Sequence, residues 1–150
     1  MWQTAFGIAN LLAMAMWAAL ILLPRKPALL AAILYLGVGL LCLAYALGIS
    51  AILGGLVDPK GPGGGTVDFT TIEGVRSIFA SDGGVTIGWI HYLAFDLFVG
   101  LWIARDADAK EFSRLVQAPI LFLTFMAGPF GLVVWLLVRE RRARKNGRWE

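Results

Sequence analysis

The stretch Gly88-Trp89-Ile90-His91-Tyr92-Leu93-Ala94-Phe95-Asp96-Leu97-Phe98-Val99-Gly100 decides the fold class of this chain. It carries the single histidine and sets an aspartate about halfway along a run long enough to cross a bilayer. A carboxylate at that depth costs roughly 2.5–3.5 kcal/mol on insertion scales, so it belongs inside a bundle, facing other protein. The rest of the sequence then reads as the membrane scaffold around this helix.

Composition agrees. The 150 residues are 59% hydrophobic and only 15% charged, and the mean hydropathy is +0.75. A soluble domain of this length cannot hide so much apolar surface, whereas a membrane protein turns it toward lipid. The length allows one domain, residues 1–150. The formal charge of +3 comes largely from the last dozen residues, so it is no sign of a nucleic-acid partner. A lone Cys42 excludes an internal disulfide and the usual multi-cysteine metal sites.

Outward from the central stretch, the pattern predicts an all-α, integral membrane four-helix bundle, with helices over about 2–23, 28–57, 85–104 and 118–138. The first begins at Met1-Trp2 without a basic n-region and closes at Leu23-Pro24-Arg25-Lys26-Pro27, so it reads as a retained helix rather than a signal peptide. Two prolines framing two cations stop a helix and seat charge at the interface. The second helix repeats small residues at Gly37, Ala44, Gly48, Ala51 and Gly55. That face is a packing seam or, alternatively, a slot for a flat ligand.

Between the second and third helices, Asp58-Pro59-Lys60-Gly61-Pro62-Gly63-Gly64-Gly65 is a breaker and no phosphate loop, because no Gly-Lys-Ser/Thr ends it. Thr70–Ala80 then places Ile72, Val75, Ile78 and Phe79 on one helical face. It reads as a short amphipathic interfacial helix capped by Thr70 or Thr71, or as a lid over the bundle. Arg105-Asp106-Ala107-Asp108-Ala109-Lys110-Glu111-Phe112-Ser113-Arg114 reads as a solvated connection of mixed charge. Pro129 in Gly128-Pro129-Phe130-Gly131 should kink the fourth helix, and residues 139–150 form a basic tail. With four crossings, eight cations fall on the side of the termini and five on the other, which places both termini in the cytoplasm of a bacterial inner membrane. Anionic lipid suffices as the partner of the tail.

The candidate chemistry sits on the third helix. At about 100° per residue, Asp96 shares a face with Trp89, Tyr92 and Gly100, while His91 lies about 140° away beside Phe95. The two cannot form a dyad on one helix. Each needs a neighbouring helix, and the dense aromatic content favours a central position for the third. The plain structural reading is an aspartate that pins packing through Asn10, Tyr35, Tyr45, Thr124 or a carbonyl freed at the kink. One histidine and few intramembrane carboxylates point away from a metal site.

Trp89-Ile90-His91-Tyr92-Leu93-Ala94-Phe95-Asp96-Leu97-Phe98-Val99-Gly100, then Pro119 opening a helix and Gly128-Pro129-Phe130-Gly131-Leu132 within it, resemble the abscisic-acid-deficient-four-like family of small membrane proteins. Plant members are implicated in making neoxanthin from violaxanthin. The resemblance implies an isomerisation without redox: an epoxide oxygen is protonated while a proton leaves the neighbouring polyene carbon, giving an allene and an alcohol. It implies one acid, one base and a dry apolar channel. His91 and Asp96 would be the catalytic groups, with Tyr92 donating to the oxygen. Trp89, Phe95, Gly100, Gly48, Gly128 and Pro129 would flank a carotenoid or related isoprenoid lipid, with no metal or other cofactor required. The alternative is a non-catalytic membrane protein that binds a hydrophobic ligand or scaffolds a partner. A small transporter is a third reading, and it would need a homo-oligomer to enclose a path.

Overall fold

A computed structural model describes residues 1–57 and 68–146. The Asp58–Gly65 breaker and the end of the basic tail lie outside the described residues. Among the described residues, five helices make up the fold: α1 (Trp2–Leu22), α2 (Pro27–Leu53), α3 (Ile72–Ile78), α4 (Asp82–Ala109) and α5 (Arg114–Asn146). The four long ones are apolar enough to cross a membrane, so the chain is an all-α membrane bundle with one short helix between its second and third members.

Local chemistry accounts for most of the helix ends. Pro24 and Pro27 break the chain after α1, and Pro27 opens α2, where its missing N–H costs nothing. Thr71, one of the two expected caps, starts α3 by accepting from the Gly74 N–H at 3.1 Å. Ser81 does the same for α4, accepting from Gly84 at 3.0 Å, with Asp82 in the first turn.

Within α2, Ile33–Gly39 is a π-helical stretch. It shifts the register of the glycine face, which is why that face is not a continuous seam. Two of its glycines do admit neighbours. A Cβ on Gly37 would press on Met16 of α1 and Leu97 of α4, and one on Gly48 would overlap Ile87 of α4. Ala44 and Gly55 are exposed.

Helix α4 is the centre of the bundle. Of its apolar window 56% is buried, against 22% for α1 and for α2. It is also longer than the expected 85–104, because the charges after Ala104 are taken up by other helices. Asp106 accepts from Trp135 Nε1 at 3.0 Å and pairs with Lys110 at 3.1 Å and Arg139 at 2.6 Å. Asp108 pairs with Arg25 at 2.9 Å and accepts from Gln117 Nε2 at 3.0 Å. Lys110, Gln117 and Arg139 are buried. The solvated connection expected here is corrected in part: Asp106 and Lys110 are packed into an ionic layer with Arg139, while Arg105, Asp108 and Glu111 stay exposed.

The largest departure is α5. It was expected as a kinked crossing over about 118–138. At Ala127 (φ −152°, ψ 59°) the backbone leaves the helix altogether. A straight helix would hold residues 114 and 135 roughly 30 Å apart. Instead the Trp135 and Phe112 rings meet at 5.1 Å. Arg139 reaches Asp106, and Arg142 donates to the carbonyls of Lys110 and Glu111 at 2.9 and 2.7 Å. The second arm thus returns to the end of the bundle from which the first arm left. A Cβ on Gly131 would overlap Thr124, so these glycine and threonine positions are where the arms touch just past the bend. Pro129, which lacks an N–H, follows the break directly.

Candidate functional site

Asp96 lies midway along α4, and its side chain meets the bend of α5. A Cβ on Gly128 would fall on the Asp96 carboxylate, so only glycine allows the turn to close over it. One turn earlier on the same helical face, the Tyr92 hydroxyl lies close enough to the Asp96 carboxylate to interact with it. The backbone N–H of Gly128 makes a polar contact with the Tyr92 oxygen. Asp96 is buried, and its Oδ2 has no hydrogen-bond partner. A buried carboxylate oxygen with nothing to accept from is rare in folded proteins and marks either strain or a place kept for another molecule.

The face continues toward the start of α4. Trp89 stacks on Tyr92 at 5.3 Å and on Phe6 of α1 at 5.9 Å. Its Nε1 donates to Asn10 Oδ1 at 3.0 Å, and Asn10 Nδ2 donates to its own helix at Phe6 O, 2.8 Å. Asn10 therefore serves Trp89. Thr124, another expected partner of the aspartate, donates to Ile120 O at 2.8 Å.

His91 stands on the other side of α4. Its ring stacks on Phe95 at 4.7 Å and meets Tyr45 of α2 edge-on at 5.1 Å. It lines an apolar pocket of about 420 Å³ between α2, α3 and α4, walled by Tyr45, Ile49, Ile78, Phe79 and Ile87 among others. The Phe79 ring occupies the place a Cβ on Gly88 would take, which brings α3 directly onto α4. Phe95 also faces a second, shallower apolar groove with Tyr35, Val38 and Cys42.

The candidate residues thus divide. Tyr92, Asp96 and Gly128 come together where α4 meets the bend, with Trp89 stacked on Tyr92, while Pro129, next in the chain to Gly128, is exposed. His91 and Phe95 belong to the α2–α4 face. Gly48 accommodates Ile87, close to the pocket, and Gly100 seats the Trp17 indole, which also meets Phe125 at 5.6 Å. Sequence reasoning missed Asn10 as the partner of Trp89, although an amide in an otherwise uncharged apolar helix signals an interhelical bond. It also missed the polar contact made by the Gly128 N–H, which exists only because the helix breaks there.

Neither the curated proteins nor the solved structures yield a match to this chain. A family model described as ABA DEFICIENT 4-like matches residues 4–135. That span holds Asn10, the whole of α4 and both sides of the Ala127 bend. The chain belongs to the ABA4-like family, as the Trp89–Gly100 and Gly128–Leu132 motifs led us to expect.

Proposed function

We propose that the protein binds a carotenoid or related isoprenoid lipid from the bilayer and isomerises it by acid–base chemistry at Tyr92 and Asp96. The observation that carries this reading is the buried, unpartnered Oδ2 of Asp96 beside the Tyr92 hydroxyl. An aspartate that only pinned helices together would engage both oxygens. A base awaiting a substrate proton keeps one free.

The reaction suited to this pair is the opening of an epoxide conjugated to a polyene. Asp96 Oδ2 takes the proton from the carbon next to the epoxide. The Tyr92 hydroxyl gives its proton to the epoxide oxygen, the C–O bond breaks, and the electron pair of the lost C–H bond forms the new double bond of the allene. Proton transfer from Asp96 to the neighbouring Tyr92 oxygen restores both groups. Atoms and electrons balance without a redox partner. Trp89 and Phe6 offer flat faces to a polyene. His91 is too far round α4 to join this step and serves as the polar anchor of the α2–α4 pocket.

The test is conversion of violaxanthin to neoxanthin in a violaxanthin-producing host expressing the full chain. Tyr92→Phe and Asp96→Asn should each lower conversion at least 100-fold while the protein still inserts, as losing a general acid or base does. His91→Ala should retain measurable conversion. Full conversion by both Tyr92→Phe and Asp96→Asn would overturn the proposal. The pocket around His91 favours a second reading, a non-catalytic lipid-binding protein: pigment would then co-purify unchanged, and His91→Trp would expel it.

A further inference from the structure

The doubling back of α5 changes what the charges say about orientation. Both arms of α5 meet the end of the bundle that holds the Pro24–Pro27 turn. Gln117 and Arg114 of the first arm bond Asp108 and the Leu23 carbonyl, at 3.0 and 2.9 Å. Arg139 of the second arm bonds Asp106 on the same end. The deepest described contact of α5 with the polar face of α4 is at Gly128, level with Asp96. From there to Asp82, α4 runs on for about 21 Å.

We infer that α5 enters the membrane only to mid-depth and returns, so that the chain crosses three times, with its C-terminus in the cytoplasm and its N-terminus on the opposite side. The Lys/Arg count carries the orientation. Arg25 and Lys26, the three cations of residues 105–114 and the six of residues 139–150 then share one side, eleven of the thirteen in the sequence. The connection after α2 carries the other two, Lys60 and Arg76. Four crossings would divide the same cations eight against five. A bias of eleven to two is the pattern that holds a short-looped protein in one orientation. Breaking a helix at membrane depth is tolerable because the bend lies against protein, with buried Gly128 packed on the Asp96 side chain.

The geometry also says which leaflet serves the site, a consequence that rests on the proposed function. The Phe6–Trp89–Tyr92 stack and the His91 pocket with α3 both lie on the non-cytoplasmic side of the Gly128 bend. A lipid reaching Asp96 comes from that leaflet, with its polar end group toward the outer face.

Single cysteines in a Cys42→Ala background test the topology in the full-length protein. Glu73→Cys, Ser113→Cys and Glu150→Cys are treated with a membrane-impermeant maleimide in intact spheroplasts and again after lysis. Glu73→Cys should label in intact spheroplasts, and Ser113→Cys and Glu150→Cys only after lysis. Labelling of Ser113→Cys and Glu150→Cys from opposite sides means four crossings and overturns the inference. Both labelling from outside, with Glu73→Cys protected, overturns the orientation. Alkaline phosphatase fused after Glu150 gives a second readout and should be inactive, and an active fusion overturns the C-terminal placement. None of these readouts depends on conversion of a carotenoid, so the topology and the proposed chemistry fail separately.

Discussion

At the end of the bundle where α1 turns into α2, the helices are joined by directional, charged bonds. Arg25 holds Asp108, donates to Gln117 and reaches the Leu20 and Ala104 carbonyls, and Asp106 gathers Lys110, Trp135 and Arg139. At the other end, among the described residues, α2, α3 and α4 meet mainly through apolar side chains: Phe79 over Gly88, Ile87 over Gly48, Ile49 and Ile78 across a pocket of about 420 Å³, with the Tyr45–His91 ring contact beside them. Lipid tails are as apolar as these side chains, so apolar contact gives helices in a membrane little reason to prefer each other over lipid. The ionic end therefore sets the architecture, including the return of α5. The apolar end leaves an open pocket of about 420 Å³.

Removing one charge from the ionic end should have the largest effect. Arg139→Ala leaves Asp106 short of its 2.6 Å partner inside the protein, and breaking a buried pair in this way costs about 3–5 kcal/mol. Thermal unfolding in mild detergent should show that loss, along with release of the second arm of α5. Ile78→Ala, at the apolar end, should cost far less, because its neighbours border open space. Equal losses in the two variants would erase the distinction between the ends.

The bend of α5 lies between the two regions and should respond at an intermediate level. In Gly128→Ala the new methyl meets the Asp96 carboxylate. Overpacking of this kind costs about 1–3 kcal/mol. It should also separate Tyr92 from Asp96, so conversion should fall more than stability does. A variant with wild-type melting and wild-type conversion would show that the bend does not close on Asp96.

Much of this was legible in the sequence, and the illegible part has one physical cause. Periodicity and apolar length located the four long helices, and the capping chemistry at Thr71 located α3. The placement of Asp96 and His91 on different faces of α4 followed from helical geometry alone. The sharpness of the bend did not. A proline after a glycine predicts a kink, but whether the chain deviates or reverses depends on what the far arm can bind. Here that is Asp106, at long sequence separation from Arg139 and Trp135. The same contact explains why Arg105–Glu111 reads as a surface turn: Asp106 looks as solvated as Asp108 and Glu111 until the residues that cover it are known. Asn10 and Trp89 illustrate the same limit at smaller scale, each being an ordinary membrane residue until the pairing of α1 with α4 brings them to 3.0 Å.

The smallest expected effect lies at the apolar end, where polar bonds hold the start of α3. Asp68 accepts from the Thr70 hydroxyl at 2.7 Å, the Thr70 N–H at 2.8 Å and the Thr71 hydroxyl at 2.9 Å. The Thr70 hydroxyl, followed by the Thr70 N–H and the Thr71 hydroxyl, holds the Asp68 carboxyl below its ordinary value. A carboxyl depressed in the folded state contributes stability above its unfolded pKa, about 3.9, and loses it as pH falls through the folded value. The start of α3 should therefore be insensitive to pH near neutrality and loosen only in acid. Amide exchange of Gly74–Ile78, corrected for intrinsic rates, should lose protection below about pH 4 in the wild-type protein and show no such step in Asp68→Asn. Were wild-type protection flat as well, the Thr71 cap alone would set α3 in place, and the apolar end would owe nothing to charge.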